Sequence, residues 1–558
     1  MLAFVVLACD GSAAVTSTSS EPTTTTVPPT TTTTTPPECP DVFCVRYHID
    51  PDAAWADGTP VTSDDFAFTV ETITNADLDI ADAKRSEYST LTGYQTVDEK
   101  TFLAIFSEIY TPWKDLFDVV LPAHELKGEP FGTAWDDGIT LGSGPFVFSE
   151  WVPGEKIVLT RNPNYWASRD LASGAPFGDV QTVDIVFLPG SEAQVRALRN
   201  EEIDMFYPEP QVELVDDVTS MNDVTSEAGM GRIWDQIDFN HDDPLLSQEF
   251  IRQAFALAID REAVMNEVVR PIDPDAVSLG NTMWMVGAPH YEDHFTQYSY
   301  DPVAAEQLLI DNGCVRGEDE IYVCQGQRLS FRWATTAGVE AREMLFDMAQ
   351  ASLAEIGIEI TADFGPATRV FANEFIYGDS SVWQILNFAW VGAPDPHGRN
   401  SVYFCEGRSP SGFGALNVNR YCNDEIESLV RQTEVEVDET ARAALYNQAD
   451  ALYLDDVASI PLYQNPTFFA WNELITGPKD NPTQTGPFWN LSTWSGKDEV
   501  IFAVDQEPET LNTLEKAGGL FAVDLVRTAV LEGAFTVAPD YTYVPQLVES
   551  YEVIVTGG

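Results

Sequence analysis

Apolar and polar positions alternate along this chain in two rhythms. Short runs with period-two or continuous apolar character predict strands at 43–49, 101–106, 156–160, 183–188, 329–334, 358–363, 382–388, 500–504 and 550–555. Between them lie stretches with helical spacing. Thr62 and Asp65 form a capping-box-like start for a helix running to about Ile73. Residues 246–269 carry Phe250, Ile251, Ala254, Phe255, Ala258 and Ile259 on one broad face and predict a single helix. Asp301 caps a helix with Pro302 at its first position and Gly313 just past its end. Further helices are predicted over 342–356, 423–435 and 438–454. Strands interleaved with helices give an α/β or mixed architecture. No repeat of solenoid period is present.

The first forty residues are different. Residues 12–37 are almost wholly Ser, Thr, Pro, Ala, Val and Glu, a composition that cannot bury enough apolar surface to order itself. Residues 10–38 are therefore expected to be a disordered tether. Before it, Val6-Leu7-Ala8-Cys9 resembles a bacterial lipobox, so 1–9 reads as a truncated lipoprotein signal with Cys9 as the lipid-bearing residue.

Charge narrows the partners. The 558 residues include 89 acidic and 29 basic side chains, for a formal net charge of −60. Such a balance disfavours nucleic acid, whose phosphates need Lys and Arg, and adhesion to anionic membranes. It means a strongly solvated surface, or alternatively attraction of cationic ligands. The six cysteines beyond Cys9 lie close as pairs: Cys39 with Cys44, Cys314 with Cys324, and Cys405 with Cys422. Proximity makes these the disulfide candidates, although sequence alone leaves connectivity open. An even set favours an oxidising compartment, and no second Cys/His pair stands at zinc-ligand spacing, so no metal is expected.

Six blocks carry a resemblance. They are AWADGTPVTSDDFAFTVETI (54–73), GSGPFVFSEWVPGEKIVLTRNPNYW (142–166), VRALRNEEIDMFY (195–207), DFNHDDPLLSQEFIRQAFALAIDREAV (238–264), YDPVAAEQLLIDNG (300–313) and NVNRYCNDEIESLV (417–430). In this order they resemble the extracytoplasmic solute-binding proteins of peptide- and nickel-type ABC importers. The resemblance implies a two-lobed periplasmic-binding-protein-like fold (type II) of the large, three-subdomain variety. Lobe I would comprise 39–285 with 475–558, and lobe II 286–474. One feature departs from the family. Residues 498–558 resemble its beginning but come last, after GPFWNLSTW (486–494). This is either a circular permutation, with 550–555 forming a hairpin-like pair with 43–49, or a truncated second copy of a tandem array.

The resemblance also places a ligand between the lobes. The segment Asn387-Phe388-Ala389-Trp390-Val391-Gly392-Ala393-Pro394-Asp395 follows a strand and breaks into a turn, as a cleft-lining loop does. In dipeptide-binding relatives an Asp just after the W-x-G holds the ligand's α-ammonium. Here that position is Ala393, and Asp395 stands two residues on. Asn387, Trp390 and Asp395 are thus candidate ligand residues, as are Thr510 and Asn512 in a turn resembling the family's ligand-facing E-P-x-x-L-N-P. Each also has an ordinary structural role open to it. No G-x-S-x-G, H-E-x-x-H or Walker loop is present, so no catalytic residue or cofactor is assigned. The expected role is capture of a peptide or similar solute by a monomer outside the cytoplasm, held to the membrane only by a lipid, and its delivery to permease and ATPase subunits. The rivals are an extracellular hydrolase with a cleft carboxylate pair, and a non-transport sensor on the same scaffold.

Overall fold

Residues 43–49 show why segments some five hundred residues apart belong to one body. In the computed structural model, which describes residues 38–408, 416–515 and 518–556, the strand Phe43–Ile49 lies between two antiparallel neighbours. On one side is Thr101–Phe106, followed by Leu91–Asp98; on the other is Val548–Val555. The register sets Val45 opposite Val553 and Tyr47 opposite Tyr551. Phe43, Val45, Tyr47 and Ile49 point into a large core, while Cys44 packs with Leu103 and Ile105 on the other face. A strand buried on both faces must have its backbone paired along both edges.

The main sheet has ten strands among the described residues. In spatial order they are Glu359–Gly365, Ser330–Thr336, Ile385–Val391, Val224–Phe239, Ser459–Asn472, Met205–Phe206, Glu499–Val504, Thr182–Phe187, Lys156–Arg161 and Phe146–Val152. The first three pair in parallel, and Glu499–Val504 runs parallel to both of its neighbours. The long strands Val224–Phe239 and Ser459–Asn472 are antiparallel and link two cores. Ala228 and Phe468 pack at one end with Val195 and Leu198; Trp234, Ile237, Ile460 and Leu462 pack at the other with Phe255 and Phe331.

The ladder between these long strands breaks midway. Trp234 pairs with Gln464 and Met230 with Pro466, so residues 231–233 face a single residue, 465. Proline has no N–H to donate, which favours a break there. The Gln464 side chain fills the gap: its Nε2 donates to Gly231 O at 2.6 Å and its Oε1 accepts from Val286 N at 2.8 Å. Gly392 N donates to Arg232 O at 2.6 Å.

The local signals act as expected at several helix ends. Thr62 N donates to Asp65 Oδ2 at 2.8 Å at the start of Ser63–Thr74. Asp301 Oδ1 accepts from Ala304 N at 2.9 Å, and Gly313 ends that helix at φ +80°. Three disulfides join Cys39 to Cys44, Cys314 to Cys324 and Cys405 to Cys422. Cys9 and most of the expected tether lie outside the described residues.

One expectation needs correction. The single helix over 246–269 is instead Glu249–Ala258, a short turn Arg261–Val264 and a π-helical turn Met265–Val269. Ile259 leaves helical geometry, and the Asp260 side chain recaps the chain by accepting from Ala263 N at 2.9 Å. An apolar stripe cannot reveal such a break. Trp234, Phe255, Val264 and Met285 pack in a second core with Trp333, Tyr446 and Leu454.

Three buried carboxyls set the pH response of the fold. Burial pushes Asp238 to about 7 against hydrogen bonds from Gln236 and Asn419, Glu532 to about 7, and Asp480 to about 6. In the unfolded chain such groups titrate near about 4. Between these values the folded state binds more protons, so stability is fully present at low pH and is lost as pH rises through 6–7. Reduced self-repulsion of the acidic surface acts in the same direction. We expect the thermal midpoint at pH 5.5 to exceed that at pH 8, by at most about 2–4 °C for each kcal/mol, since the shift per kcal/mol shrinks as the folded body grows. A scanning calorimetry series in which the midpoint falls on acidification over that range would contradict this.

Candidate functional site

Arg232, at the break in the long ladder, lines the larger of two adjoining cavities between the two cores. The larger, of about 490 Å³, is lined from the first core by Lys84, Asp115, Asp118, Asp524, Arg527 and Tyr543, and from the second by Ala393, Pro394 and His397, with Arg232 at its base. A smaller cavity of about 180 Å³ shares Pro112, Lys114, Pro394 and Tyr543 with it and reaches Trp284, Asp395 and Arg442. The larger volume lies within the range of small-solute sites, about 300–1,000 Å³.

Two contacts cross between the halves beside these cavities. Lys114 Nζ meets Glu439 Oε1 at 2.5 Å, and Thr111 Oγ1 lies 3.3 Å from His397 Nδ1. The Tyr110 ring stands edge-on to the His397 imidazole, with centroids 6.0 Å apart. Burial pushes the His397 pKa below its usual value, with the charge of Asp395 opposing. The imidazole therefore meets Thr111 in its neutral form at physiological pH.

The cavity's charge differs from that of the whole chain. Lys84, Lys114, Arg232 and Arg527 match Glu87, Asp115, Asp118 and Asp524 in number, whereas acids outnumber bases about threefold over the sequence. Most of these charges are mutually satisfied. Lys84 lies 3.0 Å from Glu87 and 2.8 Å from Asp118. Burial opposes the Lys84 charge, but Asp118 and Glu87 outweigh it and hold the ammonium protonated. Arg527 lies 3.6 Å from Asp524. Asp115 differs: burial raises its pKa to about 7, a hydrogen bond from the Tyr543 hydroxyl opposes the rise, and the charges of Asp395 and Glu87 add to it. Arg232 is desolvated and feels Asp524 and Arg527 electrostatically. Among the described residues its guanidinium makes no hydrogen bond or ion pair.

Residues 38–411 match the profile described as bacterial extracellular solute-binding proteins, family 5 middle. The chain belongs to this family. Among its relatives is the oligopeptide-binding protein OppA of Mycobacterium tuberculosis, 27% identical over 440 residues, which cover 76% of this chain and 69% of that protein. A periplasmic EDTA-binding protein, EppA, shares the fold at a TM-score of 0.64 and 21% identity, over 81% of this chain and 84% of that one. The oligopeptide-binding protein AppA of Bacillus subtilis, solved with a nonapeptide, superposes at 0.56 and 21% identity over 83% and 88%. The fold is thus the two-lobed, type II periplasmic-binding-protein arrangement.

Within this family fold, the residues singled out from sequence have these positions. Asn387 is fully buried inside the sheet, its Nδ2 donating to Gln236 O at 2.9 Å, and does not line the cavities. Trp390 packs against Phe388 at 5.1 Å and under the Arg399 guanidinium at 5.8 Å, also away from both cavities. Asp395 does line the smaller cavity, but its carboxylate is occupied. Oδ1 accepts from His397 N at 2.9 Å, and Oδ2 lies 2.8 Å from Arg442 Nη2, both residues being buried. Thr510 and Asn512 build their own turn: Thr510 Oγ1 accepts from Asn512 N at 3.0 Å, and Asn512 Oδ1 from Leu514 N at 3.2 Å. Their neighbour Thr513 reaches the larger cavity. The residues that line it most tellingly, Asp115, Arg232 and Tyr543, were not among the candidates. They come from separate segments with no shared motif, and only the scarcity of cations in so acidic a chain could have drawn attention to Arg232.

Proposed function

We propose that this protein captures a peptide or similar small solute between two closing lobes and delivers it to the permease and ATPase subunits of an ABC importer. The observation that carries the reading is the charged cavity between two hydrophobic cores, bridged beside its walls by Lys114–Glu439 and Thr111–His397. In this reading the first lobe takes residues 39–230 and 466–556, and the second takes 234–463, as their core packing suggests. Residues 231–233 and 464–465, where the pairing between the two long strands is interrupted, are the hinge, since a few residues outside that pairing can absorb a change of φ and ψ. Relatives named for oligopeptides support a peptide, and the EDTA-binding neighbour widens the class to other small polar solutes. The piece 498–556 completes the first lobe, a reading supported by the pairing of Val548–Val555 with Phe43–Ile49 and compatible with a circular permutation. The protein acts as a monomer, outside the cytoplasm and tethered by lipid on Cys9, and performs no covalent chemistry.

A thermal-shift screen of peptides, nickel complexes and oligosaccharides tests the reading. A ligand at a hundred times its Kd stabilises by about 2.7 kcal/mol. At least one class is expected to raise the midpoint by several degrees. A screen in which none does would remove the proposal.

A further inference from the structure

Lys114, which meets Glu439 across the cleft, is also gripped from its own side. Three aromatic rings face its ammonium: the centroids of Trp113, Tyr543 and Tyr551 lie 5.5, 5.7 and 5.4 Å from Nζ. The rings are themselves fixed. Trp113 packs against Tyr551 with centroids 4.5 Å apart, and Phe535 backs both at 5.8 Å. The Tyr543 hydroxyl donates to Asp115 Oδ1. Trp113 and Lys114 share the short turn Trp113–Asp115, where the Trp113 carbonyl accepts from the Tyr47 hydroxyl at 3.0 Å. All of these groups belong to the first lobe. From the second comes Glu439, in the first turn of the helix Glu439–Asp455, its Oε1 2.5 Å from Lys114 Nζ. Lys114 is half-buried and Glu439 exposed.

An ammonium held over ring faces has little freedom left to lose when a carboxylate approaches. Glu439 is placed in advance as well. The helix dipole favours an acid in the first turn, and Asp438 caps that turn by accepting from Ala441 N at 2.8 Å. Two groups so prepared meet without a solute between them. Resting on the solute-capture reading, we propose that Lys114, caged by Trp113, Tyr543 and Tyr551, forms with Glu439 a latch that sets how much of the protein is closed before any solute binds. Exposed ion pairs are weak, and weakness suits the role. A latch that biases closure a few-fold lets the lobes reopen, whereas a strong one would trap the solute. The latch also acts on affinity. A solute held by the closed form binds in proportion to the closed fraction, so the latch strengthens capture of every solute by one factor, whatever its chemistry.

The test reads closure without a ligand. Spin labels on Leu474→Cys and Val303→Cys, exposed positions of the first and second lobes, in a full chain also carrying Cys9→Ser, report the interlobe distance by double electron–electron resonance. With the latch intact, two distance populations are expected. Glu439→Gln should lower the shorter one by about two- to fivefold, the bias an exposed ion pair gives. Lys114→Met keeps the stem against the rings and should act alike, and the two together no more than either alone. Salt at about 1 M should lower the shorter population of the intact latch and leave the variants unmoved. The reversed pair, Lys114→Glu with Glu439→Lys, should not restore closure, because ring faces repel a carboxylate and the helix dipole opposes a lysine there. Each single variant should weaken every solute from the thermal-shift screen by the factor it takes from closure. Thermal midpoints establish that the variants fold. Ligand-free distances unmoved by either single variant overturn the proposal and leave capture intact. So does an affinity loss that differs between solute classes, which would make Lys114 and Glu439 ligand contacts. Full restoration by the reversed pair overturns the part given to the rings. If no solute of any class binds, capture itself falls, and the latch loses its role.

Discussion

Ending the chain at Lys497 is expected to abolish cooperative folding. The strand Glu499–Val504 is an interior member of the ten-stranded sheet, hydrogen-bonded to Thr182–Phe187 on one side and Met205–Phe206 on the other. Removing it opens the sheet at its middle and leaves two edges of unpaired backbone. The same cut takes Phe502, Val504, Leu511, Leu514, Val523, Val526, Val530 and Leu547 out of the first core, every one of them buried. Each such side chain contributes ~1.5–3 kcal/mol of burial. Their sum, about 12–24 kcal/mol, matches or exceeds the ~5–15 kcal/mol by which domains are usually stable. The truncated chain should show no cooperative calorimetric transition. A transition within a few degrees of the full chain's would mean that the last sixty residues are not part of this core.

Replacing Arg442 with Ala is expected to destabilise the protein by roughly 3–5 kcal/mol, because the buried Asp395 carboxylate loses its only ion-pair partner among the described residues. Urea titration measures it. The double variant Arg442→Met with Asp395→Asn should recover much of the loss, since the Asn can still accept from His397 N and no charge remains buried. Asp395→Asn alone should leave the affinity for any solute found by the thermal-shift screen nearly unchanged, because that carboxylate is already engaged by His397 N and Arg442. A large loss of affinity in this variant would return the ligand site to Asp395.

What could be read from sequence follows from how far each signal reaches. Strand Phe43–Ile49 and its distant partner Val548–Val555 each carry their own apolar pattern, so both were legible, and their pairing followed from the abrupt start of one and the unmatched end of the other. The Thr62 and Asp301 caps act within a few residues and were equally visible. Residues 224–239 were missed as a strand, because EAGMGR lacks strand chemistry and is held extended by pairing with Ser459–Asn472. The Asp260 recapping was hidden under a continuous apolar stripe. The cleft was the least legible part. Asp115, Arg232 and Tyr543 lie far apart in sequence, and their convergence on one cavity appears only in space. Thr510 and Asn512 illustrate the converse: their motif is a turn motif, and they make a turn.

Closure is the central claim, and small-angle X-ray scattering of the intact protein, recorded without and with a saturating ligand from the solute screen, measures it most directly. The account predicts a smaller radius of gyration in the bound state, with the two cores drawn together about residues 231–233 and 464–465. Scattering curves that superimpose at saturation would show a rigid cavity and contradict it.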